Sequence, residues 1–115
     1  MSPLYTSVTM TAVSKTAGTA SPWIPLNQFA QPFNVGFGVV AVPDQGEITY
    51  TVQHTFDDVF DPRVTPVAFD HSTVSGKTAS IDGNYAFPIA AIRIVVMSGS
   101  GTAPYATLKV RQTGL

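Results

Sequence analysis

Cysteine is absent from the sequence. A disulfide scaffold, a thiolate zinc site and a cysteine nucleophile are therefore excluded, and stability must come from a hydrophobic core. The chain of 115 residues is long enough for one such core, since domains commonly contain about 100–150 residues. We expect a single domain that needs neither metal nor disulfide to fold.

Charge is scarce as well. Charged residues make up 11% of the chain, against about 25% in a typical soluble domain. With a formal net charge of −1, the sequence lacks the positive charge that drives binding to nucleic acid or anionic lipid. Two interpretations of this deficit stay open. In the first, the exposed face consists simply of uncharged polar side chains. In the second, other proteins cover much of the surface, because interface cores are depleted of charge.

Helical periodicity and long apolar runs are also missing. No window shows a sustained 3.6-residue hydrophobic period. No apolar stretch reaches the length of a signal peptide or a membrane span, and residues Met1 to Tyr5 contain no basic side chain. We therefore expect a chain that is made in a cytoplasm, has no membrane partner and forms little helix.

Proline and glycine, in contrast, are frequent. Nine of each divide the chain about every ten residues, a spacing typical of an all-β sandwich or barrel. The segments between them are rich in β-branched and aromatic residues. This pattern predicts an all-β, single-domain antiparallel β-sandwich, with six to eight strands in two packed sheets.

Five segments carry the clearest strand patterns: Leu4–Ala12, Phe33–Val42, Glu47–Phe56, Ile89–Met97 and Tyr105–Thr113. We predict a β-hairpin between the second and the third, because residues 43–46 have the composition of a short turn. A short strand is predicted at Lys77–Ile81, followed by a turn at Asp82–Asn84. Ser98–Gly101 predicts a flexible tip.

Two segments lack strand patterns. Ser14–Ser21 is predicted to be a mobile link, and Asp57–Ser75 to be irregular, because Pro62 and Pro66 interrupt it. Four apolar residues are expected to attach the irregular segment to the body of the domain: Val59, Phe60, Val67 and Phe69. Six phenylalanines are predicted to lie in the core: Phe33, Phe37, Phe56, Phe60, Phe69 and Phe87.

The side chains that could carry chemistry form one cluster in the sequence: His54, Asp57, Asp58, Asp61, Asp70 and His71. Their spacing matches neither a calcium loop nor a helical pair of zinc-binding histidines, and aspartates commonly accept backbone hydrogen bonds in turns. The adjacent residues Asp70, His71 and Ser72 alternate in direction on an extended chain and make a poor catalytic relay. We expect a structural role for the cluster, a hydrogen-bonded core position for His54, and no enzymatic activity, metal or cofactor.

The segment Pro22–Leu26 cannot be a central strand, because its two prolines remove hydrogen-bond donors from the ladder. Its Trp23 is the aromatic residue best placed to contact a partner. The candidate interface residues are Leu4, Tyr5, Val8, Met10, Trp23, Ile24 and Leu26. Within Phe33–Val42, Gly36 and Gly38 share one face, where another backbone or a large ring could approach closely.

Several runs of this sequence resemble small virion proteins of tailed bacteriophages. They lie within residues 22–115: Ile24–Asn27, Pro32–Gly38, Tyr50–Asp58, Asp82–Pro88, Ala91–Arg93 and Thr107–Gly114. In size and β-rich character the chain is similar to the cement (decoration or stapling) proteins of short-tailed phages. The resemblance implies a jelly-roll-like sandwich outside an icosahedral head, which clamps neighbouring major capsid subunits, often as a dimer. It brings no catalytic residues.

We therefore expect an extended N-terminal arm and link at residues 1–21 and a jelly-roll-like domain at 22–115. The expected function is that of a virion protein on the capsid surface, made in the bacterial host cytoplasm and bound to the major capsid protein as a homo-oligomer. Two alternatives stay open: a tail or head–tail connector component, and a carbohydrate-binding jelly roll that stacks sugars on Trp23, Tyr85 or Tyr105. A hydrolase centred on Asp57, Asp58 and His71 is the least favoured interpretation.

Overall fold

The computed structural model describes residues 4–11, 19–27, 33–42, 46–101 and 105–112. These residues contain no helix, and therefore none of the length and hydrophobicity that a membrane span requires. They form nine β-strands: β1 (Leu4–Thr11), β2 (Thr19–Ala20), β3 (Ile24–Pro25), β4 (Val35–Val42), β5 (Gly46–Thr55), β6 (Ala68–Asp70), β7 (Ile81–Tyr85), β8 (Ala91–Gly101) and β9 (Tyr105–Gln112).

The antiparallel strand pairs are nested, as in one long hairpin whose two arms have been rolled up together into two sheets. Strand β1 pairs with β9, β2 and β3 pair with β8, β4 pairs with β7, and β5 pairs with β6, all antiparallel. Rolling adds the pairs β4–β9 and β5–β8. The results are a four-stranded sheet in the order β1-β9-β4-β7 and a second sheet in the order β2-β8-β5-β6, with β3 also on β8. This nested order is that of a jelly roll, and the predicted β-sandwich is confirmed.

The core lies between the two sheets and follows the alternation of the sequence. Burying these apolar side chains is the main favourable contribution to folding. On β4, the buried Val35, Phe37 and Val39 alternate with more exposed residues, as predicted. The other strands contribute Ile48, Tyr50 and Val52 from β5, Ile92, Ile94 and Val96 from β8, and Leu108 and Val110 from β9.

The predicted hairpin between β4 and β5 is wrong. Strand β4 pairs with β7 and β9, whereas β5 pairs with β6 and β8, so the chain passes from one sheet to the other between them. A hairpin and a connection between sheets have the same local signature, namely two alternating strands around a short turn. Sequence pattern alone could not separate the two.

The predicted turn at Asp82–Asn84 is also wrong, because these residues lie inside β7, where Gly83 is opposite Phe37 of β4. A Cβ atom at Gly83 would lie 2.8 Å from Cζ of Phe37, so the glycine makes room for a core ring and does not form a turn. The predicted strand at Lys77–Ile81 is reduced to an isolated bridge between Lys77 and Tyr50.

The predicted flexible tip at Ser98–Gly101 belongs to β8. These residues pair with Gly46–Thr49 of β5, beyond a register shift between Thr49 and Tyr50. Thr49 is opposite Ser98 and Tyr50 is opposite Val96, so Met97 is the extra residue of a β-bulge. Beyond the bulge, the glycine- and serine-rich segment Ser98–Gly101 continues the β5–β8 ladder.

The N-terminal region is partly described. Strand β1 pairs along its whole length with β9 of the same chain and forms one edge of the four-stranded sheet. The end of the predicted mobile link is fixed, since Ser21 is buried and its backbone N–H donates to the carbonyl of Ile94. Residues 12–18 lie outside the described residues, and the division into an arm and a domain stays a prediction.

Candidate functional site

One end of the sandwich brings together the segment after β5 and the connection from β7 to β8. Thr55, at the end of β5, is opposite both Ala91 at the start of β8 and Ala68 at the start of β6. The backbone N–H of Ala90 donates to the carbonyl of Thr55 at 2.9 Å. Strands β6 and β7 are the edge strands of their sheets, so the sandwich is open on this side.

Three phenylalanines are exposed at this open edge. Phe56 is 53% exposed, and Phe69 and Phe87 are each 47% exposed. We call these three rings the aromatic patch. The prediction that they lie in the core is wrong for a structural reason. Each ring belongs to an edge strand or lies just beyond a strand end, at the margin of the sandwich.

The rings of the aromatic patch surround the imidazole of His54. Its centroid lies 5.8 Å from that of Phe69 in a stacked geometry. Phe56 and Phe87 meet it edge-on at 5.5 and 5.9 Å. Phe56 and Phe87 also stack on each other at 6.2 Å. These separations fall in the favourable range for aromatic pairs, about 4.5–7 Å, so the exposed rings support one another.

A hydrogen bond between the two sheets anchors the patch from below. Nδ1 of His54, on β5, lies 2.8 Å from the hydroxyl oxygen of Tyr85, on β7. Tyr85 is 1% exposed; burial, and secondarily the charge of Asp70, raise the pKa of its hydroxyl. Burial is also the main cause that lowers the pKa of His54, with His71 adding to the effect and Asp70 opposing it. Burial thus favours the neutral form of both groups, and the hydrogen-bonded core position predicted for His54 is confirmed.

The other ring nitrogen of His54, Nε2, has no hydrogen-bond partner among the described residues. Since no fully buried side-chain nitrogen or oxygen in that part of the chain lacks a partner, Nε2 keeps some contact with solvent, although His54 as a whole is only 8% exposed. The aromatic patch offers apolar ring faces around one polar nitrogen, an arrangement suited to holding an apolar side chain that carries a hydrogen-bonding group.

His71 has a structural role within this chain. Its Nδ1 accepts the backbone N–H groups of Thr73 and Val74, each at 3.2 Å. Nε2 must then carry the proton, which it donates to the carbonyl of Asn84 at 3.2 Å. Because both ring nitrogens are engaged with the backbone, His71 cannot complete a relay with Asp70 and Ser72 in this arrangement.

The predicted turn role is confirmed for two of the aspartates. Asp58 accepts the backbone N–H of Phe60 at 2.9 Å, and Asp61 accepts that of Arg63 at 3.0 Å. Asp57 instead bridges distant parts of the segment, accepting the backbone N–H of Val67 at 2.7 Å. No group of three or more acidic or histidine side chains in the described part of the chain is placed to hold a metal ion.

The irregular segment is attached to the body differently from our expectation. Phe60 is 76% and Val67 is 60% exposed, so neither anchors the segment through burial, and Phe60 is not a core residue. The segment is attached instead by the pairing of β6 with β5, by the backbone hydrogen bonds of His71 and Val74 to Val52, and by the buried side chain of Val74. Val59 is half-buried.

The predicted interface residues have different surroundings. Leu26 lies in the hydrophobic core, and Ile24 packs against it, so these two support the fold of this chain. Trp23 is half-buried, and the guanidinium carbon of Arg93 lies 4.2 Å from its ring centroid. The remaining four, Leu4, Tyr5, Val8 and Met10, lie on β1, and their side chains are outside the described part of the structure.

Arg93 continues this contact into a polar row across the second sheet. Its Nε donates to Oε1 of Gln53 at 2.9 Å, and Nε2 of Gln53 donates to Oδ1 of Asp70 at 2.8 Å. The row crosses β8, β5 and β6 on directly opposite residues. Partial burial lowers the pKa of Arg93. Of the sugar-stacking candidates, Tyr85 is too buried to serve, whereas Tyr105 is 37% exposed.

Comparison with known proteins adds a general likeness only. No protein-family model and no curated protein matches the chain. Among solved structures, a protein of Bacillus endospore appendages, described as disulfide-linked pili, matches at 13% identity and a TM-score of 0.39, over 100% of this chain and 93% of that one. The CBM22-1–GH10 modules of Clostridium thermocellum xylanase 10B, solved with xylohexaose, match at 12% identity and a TM-score of 0.42, over 97% of this chain and 25% of that one.

A third likeness is to a structure of infectious bursal disease virus, with 11% identity and a TM-score of 0.36, over 98% of this chain and 32% of that one. At these scores and identities, none of the three similarities carries a functional argument. The jelly-roll assignment depends on the strand order of the chain itself.

Proposed function

We propose that this chain is a structural adhesion protein of a phage particle, and specifically a capsid cement or decoration protein. It binds the outer surface of the head and clamps neighbouring major capsid subunits. It contributes contact surface and no catalysis, and it is made in the bacterial host cytoplasm before it joins the virion. The phage setting is the expectation drawn from the sequence resemblance.

The aromatic patch is the observation that supports adhesion. Exposed apolar clusters mark binding surfaces in soluble proteins, and aromatic residues dominate the energy of protein interfaces. Here Phe56, Phe69 and Phe87 are held in place by one another and by His54. Little side-chain freedom remains to be lost when a partner binds, and this preorganisation favours affinity.

The sparse charge of the chain agrees with this function. A protein that buries much of its surface against other subunits must avoid stranding unpaired charges there. Many copies that each hold two subunits would stabilise an assembled shell through linkage and multivalency.

We also propose a homodimer through strand β1. This edge strand has eight residues, Leu4–Thr11, with neither proline nor a charged residue, and it pairs with β9 without a bulge. Natural edge strands are usually short, charged, bulged or interrupted by proline, because an open edge pairs readily with another strand. A second copy can add its own β1 in antiparallel orientation.

The proposed function is tested by adding the purified protein back to phage heads that lack it. We expect saturable binding at a copy number similar to that of the capsid subunits, and greater resistance of the heads to heat. Replacing Phe56 and Phe87 together by serine should weaken binding by at least about 30-fold, the effect of losing an aromatic hot spot. Phe60→Ser is the matched control, since Phe60 is 76% exposed and makes none of the ring contacts of the patch.

Three results would contradict the proposal: no binding to heads, equal losses from the patch and control variants, or virions without the protein that resist heat and osmotic shock fully. Binding of a small, ring-sized number of copies at the tail would establish the connector alternative instead.

A further inference from the structure

The outer face of the four-stranded sheet carries a groove with a floor of glycine. Gly36 and Gly38 point outward from β4, the strand between β7 and β9. In one row Gly36 lies between Asn84 and Arg111, and in the next row Gly38 lies between Asp82 and Lys109. Since β7 and β9 are two interstrand spacings apart, the walls are separated by roughly 10 Å.

Three shallow depressions adjoin one another along this groove. Their volumes are about 420, 410 and 500 Å³, they are open to solvent, and they are lined by the two glycines and by residues of both walls. Ser80 and Val40 line one end, and Asn34 lines the other.

The fold itself does not require these two glycines. A Cβ atom at Gly36 would meet no heavy atom within 4 Å, and one at Gly38 would be in ordinary contact with Asp82 at 3.8 Å. Neither glycine has the positive φ angle found at Gly76. Glycine inside a strand is less stable than a residue with a side chain, and it often marks a place where something from outside approaches the backbone. Gly83 on the neighbouring strand differs, because a core ring leaves no room for a Cβ there.

The walls indicate the chemistry of the occupant. Lys109 and Arg111 place two cationic side chains along one side, where they can bind carboxylate groups. Asp82 and Asn84 place a carboxylate and an amide along the other side, where they can accept hydrogen bonds from hydroxyl groups and, through the amide, donate them. The floor is flat backbone that a ring can cover.

We propose that this groove binds an acidic oligosaccharide, one that contains uronic acid units. A sugar ring lies over Gly36 and Gly38, its carboxylate faces Lys109 and Arg111, and its hydroxyl groups face Asp82 and Asn84. This site is separate from the aromatic patch and does not depend on the adhesion function. The sugar-stacking residues considered from the sequence take no part in it.

The test uses the purified full chain with two probes, an oligogalacturonate and a glucuronate-containing hyaluronan oligosaccharide. We expect at least one of them to shift the backbone amide NMR signals of Gly36 and Gly38 in a saturable way. The methyl ester of the same oligosaccharide, which keeps the ring but removes the charge, should bind at least about tenfold more weakly. Lys109→Gln should weaken binding about fivefold, whereas Lys77→Gln, which changes an exposed lysine outside the groove, should leave it unchanged.

The sharpest variants are Gly36→Val and Gly38→Val. Each should abolish binding by filling the groove, while the thermal unfolding midpoint stays unchanged or rises by about 2–6 °C, because a β-branched residue suits an open strand position. A fall of several degrees in the unfolding midpoint would show that the fold itself needs the two glycines, and would contradict their assignment to a binding site. Absence of shifts with both probes, equal binding of acid and ester, or tighter binding of an acidic peptide at these residues would overturn the proposed ligand.

Discussion

His54 and Tyr85 come from different sheets and join them through a single buried hydrogen bond, 2.8 Å between Nδ1 and the hydroxyl oxygen. Removing the hydroxyl with Tyr85→Phe leaves the ring in place but deprives Nδ1 of its partner. We expect a loss of about 1–3 kcal/mol in the free energy of unfolding, the usual penalty for an unsatisfied buried polar atom. Chemical denaturation measures it. Tyr105→Phe, at a position 37% exposed, is the control and should change little; equal effects would contradict the anchoring role of the bond.

Stability should fall as the pH is lowered through the range where free histidine titrates. Burial, assisted by His71 and opposed by Asp70, lowers the pKa of His54 below its usual 6.5. Near and below that pH the unfolded chain takes up a proton that folded His54 does not, so the unfolded state gains stability. The contribution of neutral His54 is therefore present above pH 6.5 and is lost as the pH falls.

Thermal unfolding at about pH 7.5 and about pH 5.5 measures this effect. His54→Asn, whose side-chain amide occupies the position of Nδ1 and can bond to the Tyr85 hydroxyl, should reduce the difference between the two midpoints. An unchanged pH dependence in His54→Asn would assign the effect to other groups.

Replacing glycine by alanine should have opposite effects on stability at two positions on adjacent strands, Gly83 and Gly36. A Cβ atom at Gly83 would lie 2.8 Å from Cζ of Phe37 and 3.3 Å from Cε1 of His71, so Gly83→Ala should cost about 1–3 kcal/mol through overpacking. Gly36→Ala meets open space and should be neutral or stabilising. Denaturant midpoints compare them directly, and similar losses from both would contradict the packing described here.

Trp23 and Arg93 should show an energetic coupling. The guanidinium carbon lies 4.2 Å from the indole centroid, a cation–π contact worth about 0.5–1 kcal/mol at an exposed site. A double-mutant cycle with Trp23→Ala and Arg93→Gln should recover about that value. A coupling near zero would mean that the contact does not stabilise the fold and would favour a contact role for Trp23 with a partner.

The proposed dimer predicts that a charge on the β1 edge separates the subunits. Ser7 and Thr9 are opposite Lys109 and Thr107 on β9. Light scattering of the wild-type chain should give the mass of a dimer, and that of Ser7→Lys or Thr9→Lys the mass of a monomer. Ser75→Lys, at an exposed position outside the strands, is the matched control. A monomeric wild-type protein would contradict the dimer.

The sequence predicted the parts of the fold that depend on local alternation. The inward residues of β4, β5 and β9 follow a period of two, and so do the buried positions of the core. Pairing could not be predicted, because it depends on contacts between distant residues such as Leu4 and Gln112. Gly83 illustrates the difficulty, since Asp-Gly-Asn has a turn composition and only the nearby Phe37 ring explains the glycine.

The aromatic patch was missed for a related reason. Phe56, Phe69 and Phe87 have the composition of core residues, and their exposure depends on β6 and β7 being edge strands. A weak local signal was present: Phe56 precedes two aspartates, and Phe87 precedes Pro88, so both end their strand patterns. Burial is harder to predict for an aromatic ring at such a boundary, with a charge or a proline next to it, than for one within an alternating run.

The nested pairing also determines when the chain can fold during its synthesis. Strand β1 leaves the ribosome about 100 residues before β9, the strand it pairs with. Until β9 emerges, β1 and β4 each lack the neighbour that lies between them in the finished sheet. Folding of this sheet must therefore wait until β9 has been synthesised and should be slow, since distant pairings close large loops. During that interval the uncharged first strand is open to association with other nascent chains.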